Sequence, residues 1–355
     1  MQLVLVGPAP PWGGGIASFT TTLARSLESL GLSRWISWRV PRLRPPSTCL
    51  AVPRETSARA EPLLGIYDPG SWRAAGRLVR GASGLLLTVT HPALYVPYRE
   101  LVRGYRRGGG RVVLVCHNVV AHEAFLGQRM LARRLLSLAD TVVTHSRTDC
   151  RIARRLTDDR VRVIEAFHPT YDEHATEPWP DFPGERRLLA FGHVRAYKGL
   201  PDLVAALAHL PDTSLDVVGR FERAGRTLGR LAVRLGVSDR VRLEDRYVPD
   251  NELRDVFAGA DAVVAPYRQA SQSGVVHLAY AFGRPVVATR VGGLAEAVTD
   301  GLTGALVAPC DPVDLAGGIM RVLAAPPGAF AEGIRAIQET RTWRRYAELV
   351  TEALE

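Results

Sequence analysis

Both halves of this chain alternate short apolar runs with segments of helical periodicity, and this alternation restricts the fold more than any other feature. Such a pattern is typical of parallel α/β domains, in which a helix connects each strand to the next. Because 355 residues exceed the usual size of one domain, about 150 residues, we expect two Rossmann-like domains. In the first half the predicted strands are Leu3–Val6, Leu85–Val89, Val112–Cys116, Thr141–Thr144 and Val161–Ile164. In the second half they are Leu188–Phe191, Leu215–Val218, Val241–Leu243, Ala262–Ala265, Pro285–Ala288 and Ala305–Val307.

The boundary between the two domains is predicted in the segment from His168 to Glu185, which is rich in proline and acidic residues and has no periodicity. We place the first domain at residues 1–175 and the second at residues 176–340, and we expect residues 341–355 to form one amphipathic helix. Residues 40–65 carry five prolines and are expected to form a long irregular loop, a type of segment that is often functional in compact domains.

Cysteine spacing and hydropathy argue against several classes of protein. The four cysteines lie far apart and none form a Cys-x-x-Cys pair, so neither a zinc site nor a disulfide framework is indicated. The first apolar run, Leu3–Val6, is too short for a signal peptide, and no run reaches the roughly 20 residues of a membrane span. A cytoplasmic location is therefore expected.

The net charge of +9 belongs to the first half of the chain. Residues 1–183 hold 24 arginines and 15 acidic residues, whereas residues 184–355 hold 21 basic and 21 acidic residues. The basic half suits peripheral contact with an anionic membrane, or an anionic acceptor. The alternative, which the composition favours, is a solvated arginine-rich surface. No nucleic-acid-binding module is recognised, so no nucleic-acid partner is expected.

A glycine-rich loop follows the first strand and opens a helix. Gly13, Gly14 and Gly15 precede an apolar helical face that includes Phe19, and Gly31 ends the helix. Glycines at a helix N-terminus let backbone amides approach a ligand closely. The spacing matches neither the Gly-x-Gly-x-x-Gly dinucleotide fingerprint nor a Walker loop. A structural turn is the alternative.

Only one of the 45 basic residues is a lysine, Lys198, and it lies between a predicted strand and a predicted helix. Pro201 suits the first turn of that helix, so Lys198 and Gly199 lie where backbone N–H groups and the helix dipole attract anions. The compact ammonium of lysine and the planar fork of arginine are not interchangeable at a phosphate. The loop therefore predicts a phosphate contact, with a solvated lysine on a turn as the alternative. Arg195 could supply a second positive charge.

A third loop follows the predicted strand Ala262–Ala265 and reads Pro-Tyr-Arg-Gln-Ala-Ser-Gln-Ser-Gly at positions 266–274. Ser271, Ser273 and Gly274 open the next helix. Ligands of open α/β sheets bind at the carboxyl ends of the strands, so this loop is also expected to contact a ligand.

The run from Pro266 to Pro309 resembles the donor-binding region of glycosyltransferase family 4. The resemblance rests on Ala-Tyr-Ala-Phe-Gly-Arg-Pro-Val-Val-Ala-Thr at 279–289, Gly-Gly-Leu-Ala-Glu at 292–296 and Asp-Gly-Leu-Thr-Gly at 300–304. The glycine loop, the lysine loop and the closing Trp343 helix stand in the family's order. The resemblance implies a GT-B fold: two Rossmann-like, parallel-sheet domains with the active site in the cleft between them, and a C-terminal helix that returns to the first domain.

The resemblance also implies an activity, the transfer of a sugar from a nucleotide diphosphate donor to a hydroxyl acceptor. The reaction is of the hexosyltransferase type, retains the anomeric configuration and needs no metal. No cofactor is implied beyond the donor, for which UDP or GDP is the expected nucleotide. Lys198 and Arg195 would hold the diphosphate, with Arg195 replacing a family arginine whose position here is His193. The implied donor contacts are Gly14, Gly15, Lys198, Arg195, Gly219, Tyr247, Val248, Gln269, Ser271, Ser273, Gly274 and Glu296.

The chain departs from the family at two glutamates that contact the donor sugar and the ribose. Ala270 and Leu278 occupy those positions, and neither side chain accepts a hydrogen bond. Because an unpaired buried hydroxyl costs about 1–3 kcal/mol, we expect Gln269, Gln272 or His277 to compensate, or the donor to differ.

Two histidines follow strands of the first half. The resemblance implies that His91 touches the donor sugar, which makes it a catalytic candidate together with Lys198 and Arg195. His117 and Asn118 are candidates for acceptor contact or for support of the site, and a satisfied strand-end histidine is the alternative for His117. We expect His122, His145 and His168 to be structural.

A retaining glycosyltransferase is the favoured function, with a natural product, a lipid-linked saccharide or a polysaccharide as acceptor. The alternatives are another GT-B enzyme, such as an epimerase, and a non-enzymatic partner protein that binds a sugar nucleotide, which the missing glutamates motivate. The excess of arginine and alanine suggests a bacterial source.

Overall fold

The computed structural model describes residues 2–40, 59–121, 125–171, 174, 179, 182–221 and 224–355. The contacts divide the chain into two compact units. Unit 1 comprises Met1–Phe167 together with Trp343–Glu355, and unit 2 is His168–Thr342. The division falls at the beginning of the proline-rich segment rather than at residue 175.

Unit 1 is built on a parallel sheet of seven strands. Its strands are β1 (Leu3–Val6), β2 (Leu32–Trp38), β3 (Ala60–Leu64), β4 (Gly84–Val89), β5 (Arg111–Cys116), β6 (Thr141–Thr144) and β7 (Arg162–Glu165). Its first five helices are α1 (Gly15–Glu28), α2 (Pro69–Leu78), α3 (Tyr95–Tyr105), α4 (Gln128–Leu136) and α5 (Arg147–Leu156). The strand order is β3-β2-β1-β4-β5-β6-β7, and one apolar core packs α2 to α5 against the sheet.

Unit 2 repeats this architecture with six parallel strands. They are β8 (Arg187–Phe191), β9 (Ser214–Gly219), β10 (Val241–Asp245), β11 (Ala262–Ala265), β12 (Val286–Thr289) and β13 (Gly304–Val307). The helices are α6 (Leu200–Ala206), α7 (Ala224–Arg234), α8 (Leu253–Ala258), α9 (Gly274–Ala281), α10 (Leu294–Ala297), α11 (Pro312–Leu323) and α12 (Ala331–Thr340). The strand order is β10-β9-β8-β11-β12-β13.

All eleven predicted strands are present, with ends that move by one or two residues. Strands of a parallel sheet are covered on both faces and therefore read as continuous apolar runs, and this is why they were visible in the sequence. Every residue of β1, β4 and β6 is buried.

The sequence did not predict two strands, β2 and β3. In β2, Ser33 and Arg34 interrupt the apolar run, and three of the first four residues are only partly buried or exposed. In β3, Glu61 and Pro62 mask the pattern; β3 is an edge strand, where a proline removes no essential ladder bond. The prediction of an irregular loop over residues 40–65 is therefore wrong at its end, and residues 41–58 lie outside the described chain.

The C-terminal helix α13 (Trp343–Glu352) belongs to unit 1, which confirms the predicted return to the first domain. It packs against α1, with the ring of Trp343 4.8 Å from that of Phe19. The buried hydroxyl of Tyr346 shares a 2.7 Å hydrogen bond with Nε2 of His145. His145 is buried and ties α13 to the sheet of unit 1.

No helix within the described ranges is long and apolar enough to cross a membrane. Cys116, Cys150 and Cys310 are free thiols, and Cys49 lies outside the described chain.

Candidate active site

The candidate site of unit 2 lies where the order of its strands reverses. From β8 the chain continues to β9 and β10 on one side of the sheet, whereas β11, β12 and β13 lie on the other side. The two loops that follow β8 and β11 flank this point at the carboxyl ends of the strands. Crevices at such reversal points are where open α/β sheets bind ligands. The lysine loop and the Ser-Gly loop predicted from the sequence are these two loops.

The lysine loop is held in place by close backbone approach. Ala196–Lys198 form one 3₁₀ turn, Gly199 follows with φ +63°, and α6 then begins with Pro201 in its first turn. A side-chain carbon on Gly199 would collide with the carbonyl oxygen of Pro266 at the start of the Ser-Gly loop. Only glycine can adopt this positive φ and also leave room for the Pro266 carbonyl. Gly199 therefore lets the lysine loop and the Ser-Gly loop pack closely against each other.

A two-point ion pair also joins these loops. The guanidinium of Arg268 donates from Nε and from Nη2 to the two carboxylate oxygens of Asp202, at 3.0 and 2.8 Å. The backbone N–H of Arg268 donates to the carbonyl of Tyr197 at 2.7 Å. The side chain of Lys198 is therefore presented from a braced turn.

The Lys198 ammonium lies over the face of the Tyr267 ring, 5.3 Å from its centroid. The side chain is half-buried in a small, mostly apolar cavity lined by Phe191, Gly192, Val217 and Tyr267. Within the described chain Lys198 forms no ion pair and no side-chain hydrogen bond. A cation on an aromatic face is stabilised without use of its N–H donors, so all three donors can bind an anion.

Tyr267 is a site residue to which sequence reasoning gave no role. The Ser273 hydroxyl donates to the Tyr267 hydroxyl at 3.3 Å, and the Thr289 hydroxyl donates to the Tyr267 carbonyl. Tyr197 meets its ring edge to face, with centroids 6.0 Å apart. The signal in the sequence was an aromatic residue two positions after β11, the strand beside the lysine loop.

The Ser-Gly loop leads into helix α9. Ser271 and Ser273 are buried, and Gln269 is exposed. Ser273 is the N-cap residue, but its hydroxyl bonds to Tyr267 and makes no side-chain cap. A side-chain carbon on Gly274 would lie 2.8 Å from the hydroxyl oxygen of Tyr171, which explains the glycine there.

The positions of the two absent glutamates have no polar replacement in place. Ala270 contributes its carbonyl, which accepts from the N–H of Gly293 at 3.4 Å, and Leu278 is buried. His277 stacks face to face on His168, with centroids 4.6 Å apart, and both rings are buried.

Gln272 fits the role of replacing the absent glutamates better than His277 does. Its buried Oε1 atom has no hydrogen-bond partner within the described chain. Buried amide oxygens are almost always satisfied in folded proteins, so this one is available to a ligand.

Four further predicted contacts lie beside the lysine loop or after β12. Gly219 ends β9 with φ +152°, where a side-chain carbon would collide with the carbonyl of Gly192. The N–H of Arg246 donates to the Gly219 carbonyl at 3.0 Å, which brings the backbone of Tyr247 and the buried Val248 next to that edge. Burial raises the pKa of Tyr247. Glu296 is half-buried in α10.

Arg195 lies on the lysine loop, half-buried, and its carbonyl accepts from the N–H of Lys198 at 3.0 Å. The structure thus brings Arg195 and Lys198 onto one turn.

The candidate residues of unit 1 also lie at its strand-order reversal, between β1 and β4. Gly14, with φ +92°, and Gly15 begin α1 and are exposed, and a side-chain carbon at either would meet no atom within 4 Å. His91 follows β4 and is exposed. Its Nδ1 accepts from the N–H of Ala93 at 3.1 Å, so the neutral ring carries its proton on Nε2. Partial burial lowers the pKa of His91, which favours this neutral form.

His117 and Asn118 differ from His91 in their surroundings. His117 is only 1% exposed and lies edge to face on Phe19, 4.5 Å between centroids. Asn118 is half-buried, and its Nδ2 donates to the carbonyl of Thr90 at 3.2 Å, which ties the loop after β5 to the loop after β4. Both residues support the edge where His91 lies. His122 lies outside the described chain.

Within the described ranges, no three His, Cys, Asp or Glu side chains gather closely enough to hold a metal ion.

Residues 185–325 match the family model for group 1 glycosyl transferases. A D-inositol 3-phosphate glycosyltransferase from Mycolicibacterium vanbaalenii is 36% identical over 171 residues, which is 44% of this chain and 38% of that protein. An enzyme of the same name from Acidothermus cellulolyticus is 32% identical over 237 residues, 59% of this chain and 51% of that protein. The chain thus spans about half the length, or less, of these relatives.

Solved structures resemble the whole chain at low sequence identity. The sucrose-phosphate synthase of Thermosynechococcus elongatus has a TM-score of 0.82 at 20% identity and covers 99% of this chain and 98% of its own. The Anabaena protein HepE, in complex with UDP-glucose, has a TM-score of 0.75 at 17% identity over 100% of this chain and 99% of its own. With two Rossmann-like sheets, a returning C-terminal helix and these structural matches, the chain has the GT-B fold, and its residues 185–325 are similar to the group 1 glycosyl transferases.

Proposed function

We propose that this chain is a retaining glycosyltransferase that moves a sugar from a nucleoside diphosphate to a hydroxyl acceptor. The observation that carries the proposal is the Lys198 ammonium, presented at the strand-order reversal of unit 2 with its three N–H donors uncommitted to described residues. An anionic leaving group is the ligand that such a donor suits.

The comparisons support the donor class. HepE was solved with UDP-glucose, and the curated relatives are named for transfer of a glycosyl group. UDP and GDP are therefore the first nucleotides to test. We propose a cytoplasmic reaction and an acceptor that is a natural product, a lipid-linked saccharide or a polysaccharide.

The proposed chemistry is electrostatic. As the bond between the sugar and the diphosphate breaks, negative charge develops on the leaving oxygen, and Lys198 and Arg195 stabilise it together with the amides at the start of α9. The acceptor hydroxyl attacks from the face that the diphosphate leaves, and a leaving phosphate oxygen takes the acceptor proton. His91 would donate from Nε2 to a hydroxyl of the donor sugar. The proposed mechanism uses no metal.

Gln272 would replace the missing glutamates in part. Its unpartnered Oε1 can accept a hydrogen bond from a donor hydroxyl, which a carboxylate accepts elsewhere in the family. A neutral acceptor binds a hydroxyl more weakly than a charged one, so we expect a less tightly held donor sugar.

The test is a donor-by-acceptor screen that detects released nucleoside diphosphate, followed by analysis of the anomeric configuration of the product. With the best pair, Lys198→Ala should lower turnover by about 100-fold or more, the size expected when a developing charge loses its partner. Arg226→Ala, which removes an exposed arginine of α7, is the control and should leave turnover unchanged. Turnover of Lys198→Ala within a few-fold of the wild type would contradict the assignment, and an inverted product would contradict retention.

A second candidate function is that of a partner protein that binds a sugar nucleotide without transferring the sugar. Ala270 and Leu278 favour it because they stand where the family has two glutamates. Thermal stabilisation by a nucleoside diphosphate, with no release of it from any donor in the presence of any acceptor, would support that candidate. An epimerase would instead alter the donor sugar with no acceptor present.

A further inference from the structure

The helices that cover one face of the unit 1 sheet concentrate the positive charge of the chain. Residues 69–157, which contain α2 to α5, hold 15 arginines and 4 acidic residues, an excess of 11. That excess is larger than the net charge of the whole chain, +9. We call these four helices and the turns at their ends the arginine layer. In it α2 packs on α3, α3 on α4 and α4 on α5, so the helices form one continuous surface.

The acidic side chains described in the arginine layer are already engaged. Glu100 pairs with Arg73 and Arg99, Asp140 pairs with Arg106, and Asp149 is buried at the start of α5. Nine other exposed arginines form no ion pair with any described residue. They are Arg77, Arg103, Arg107, Arg129, Arg133, Arg134, Arg151, Arg154 and Arg155. The surface therefore carries a positive field that no described neighbour neutralises.

Exposed apolar side chains lie on this same surface. In the described part of unit 1, every exposed large hydrophobic residue lies in the arginine layer or beside its first helix. They are Tyr67, Leu78, Val96, Leu126 and Met130. Leu126 is fully exposed at the turn before α4, and Met130, also exposed, lies on α4 next to Arg129.

We propose that the arginine layer docks on an anionic phospholipid bilayer. Charge alone would suit any polyanion, but a soluble polysaccharide or nucleic acid gains nothing from Leu126 and Met130. A bilayer accepts both groups, because arginines bind the lipid phosphates while apolar side chains enter the boundary between headgroups and acyl chains. The inference does not depend on the proposed sugar transfer.

The experiment is sedimentation of the full chain with two kinds of vesicle, phosphatidylcholine alone and phosphatidylcholine mixed with phosphatidylglycerol. The wild type should bind only the anionic vesicles, and binding should fall as salt is raised. The triple variant Arg129→Gln/Arg133→Gln/Arg134→Gln on α4 should bind at least about tenfold more weakly, since each surface arginine strengthens binding several-fold. Leu126→Ser/Met130→Ser should also weaken binding several-fold.

The matched control is Arg226→Gln/Arg230→Gln/Arg234→Gln, which removes three exposed arginines from one helix of unit 2, α7. Circular dichroism checks that all the variants are folded. The proposal stands if the α4 variant loses binding and the α7 variant keeps it. Equal loss in both variants would overturn it, as would equal binding to neutral vesicles. Wild-type binding to dextran sulfate with none to anionic vesicles would assign the surface to a soluble polyanion instead.

Discussion

Unit 1 and unit 2 share one architecture but use charge in opposite ways. Both are parallel sheets whose strand order reverses once, and both carry glycine-containing loops at the reversal. Residues 184–355 have as many acidic as basic residues, and the single lysine of the chain lies there at the reversal. Unit 1 carries nine exposed arginines that pair with no described acidic residue, and they are spread over α2 to α5 and the turns at their ends. The same fold thus supports a single positioned cation in one unit and a broad positive surface in the other.

The largest effect expected of a single substitution on stability is that of Gly199→Ala. The substitution combines a left-handed backbone, worth about 1–2 kcal/mol, with a collision against the Pro266 carbonyl. Gly236→Ala is the control, because Gly236 has φ +69° but a side-chain carbon there would meet nothing within 4 Å. Chemical denaturation should show a larger loss for Gly199→Ala. Equal losses would mean that the contact between the two loops does not stabilise unit 2.

Acid should weaken unit 2 through His168. Burial lowers the pKa of His168 to about 4, from 6.5, so the unfolded chain binds a proton more readily than the folded one. The contribution of His168 to the free energy of unfolding is therefore fully present above pH 6.5, and it is lost as the pH falls towards 4, by about 1.4 kcal/mol per pH unit. His168→Phe should flatten this part of the curve of unfolding free energy against pH. The exposed His209→Phe variant is the control, and a wild-type slope in His168→Phe would contradict the account.

Substitutions of Tyr267 should have a smaller effect, and they distinguish the contribution of its ring to ligand binding from that of its hydroxyl. Tyr267→Leu removes the aromatic face under Lys198, worth about 0.5–2 kcal/mol, and should weaken binding of a nucleoside diphosphate by about threefold or more. Tyr267→Phe keeps the face and should bind within about twofold of the wild type. Ser273→Ala, which removes the same hydrogen bond, should match Tyr267→Phe. Isothermal titration calorimetry measures all three. Equal weakening by Phe and Leu would show that the ring face does not matter.

The sequence predicted the architecture well because buried parallel strands leave continuous apolar runs. The apolar runs at β4 and β11 are unambiguous, whereas Arg34 in β2 and Pro62 in β3 interrupt the apolar pattern of their strands. A strand accepts such residues only at certain positions in the sheet, and a sequence does not show where in the sheet a strand lies. Lys198 and Gly199 were placed on the correct loop, since strand, turn and Pro201 are all local signals.

Contacts between distant segments of a unit were not predictable in the same way. An aromatic residue just after β11 is visible in the sequence, but its position does not show that its ring will lie under Lys198, 69 positions earlier in the chain. The arginine layer shows the same limit. The excess of charge in the first half was visible, but only the packing of α2 to α5 gathers the unpaired arginines and the exposed apolar residues on one surface.

The central claim is that the two units use their cations for different ligands. Titration calorimetry tests it, with the nucleoside diphosphate that most stabilises the wild type in a thermal panel of UDP, GDP and ADP. We expect Lys198→Ala to raise the dissociation constant by about tenfold or more, the value of a charge-assisted contact, and the α4 triple arginine variant to leave it unchanged. Unchanged affinity in Lys198→Ala, or an equal loss in the α4 variant, would contradict the claim.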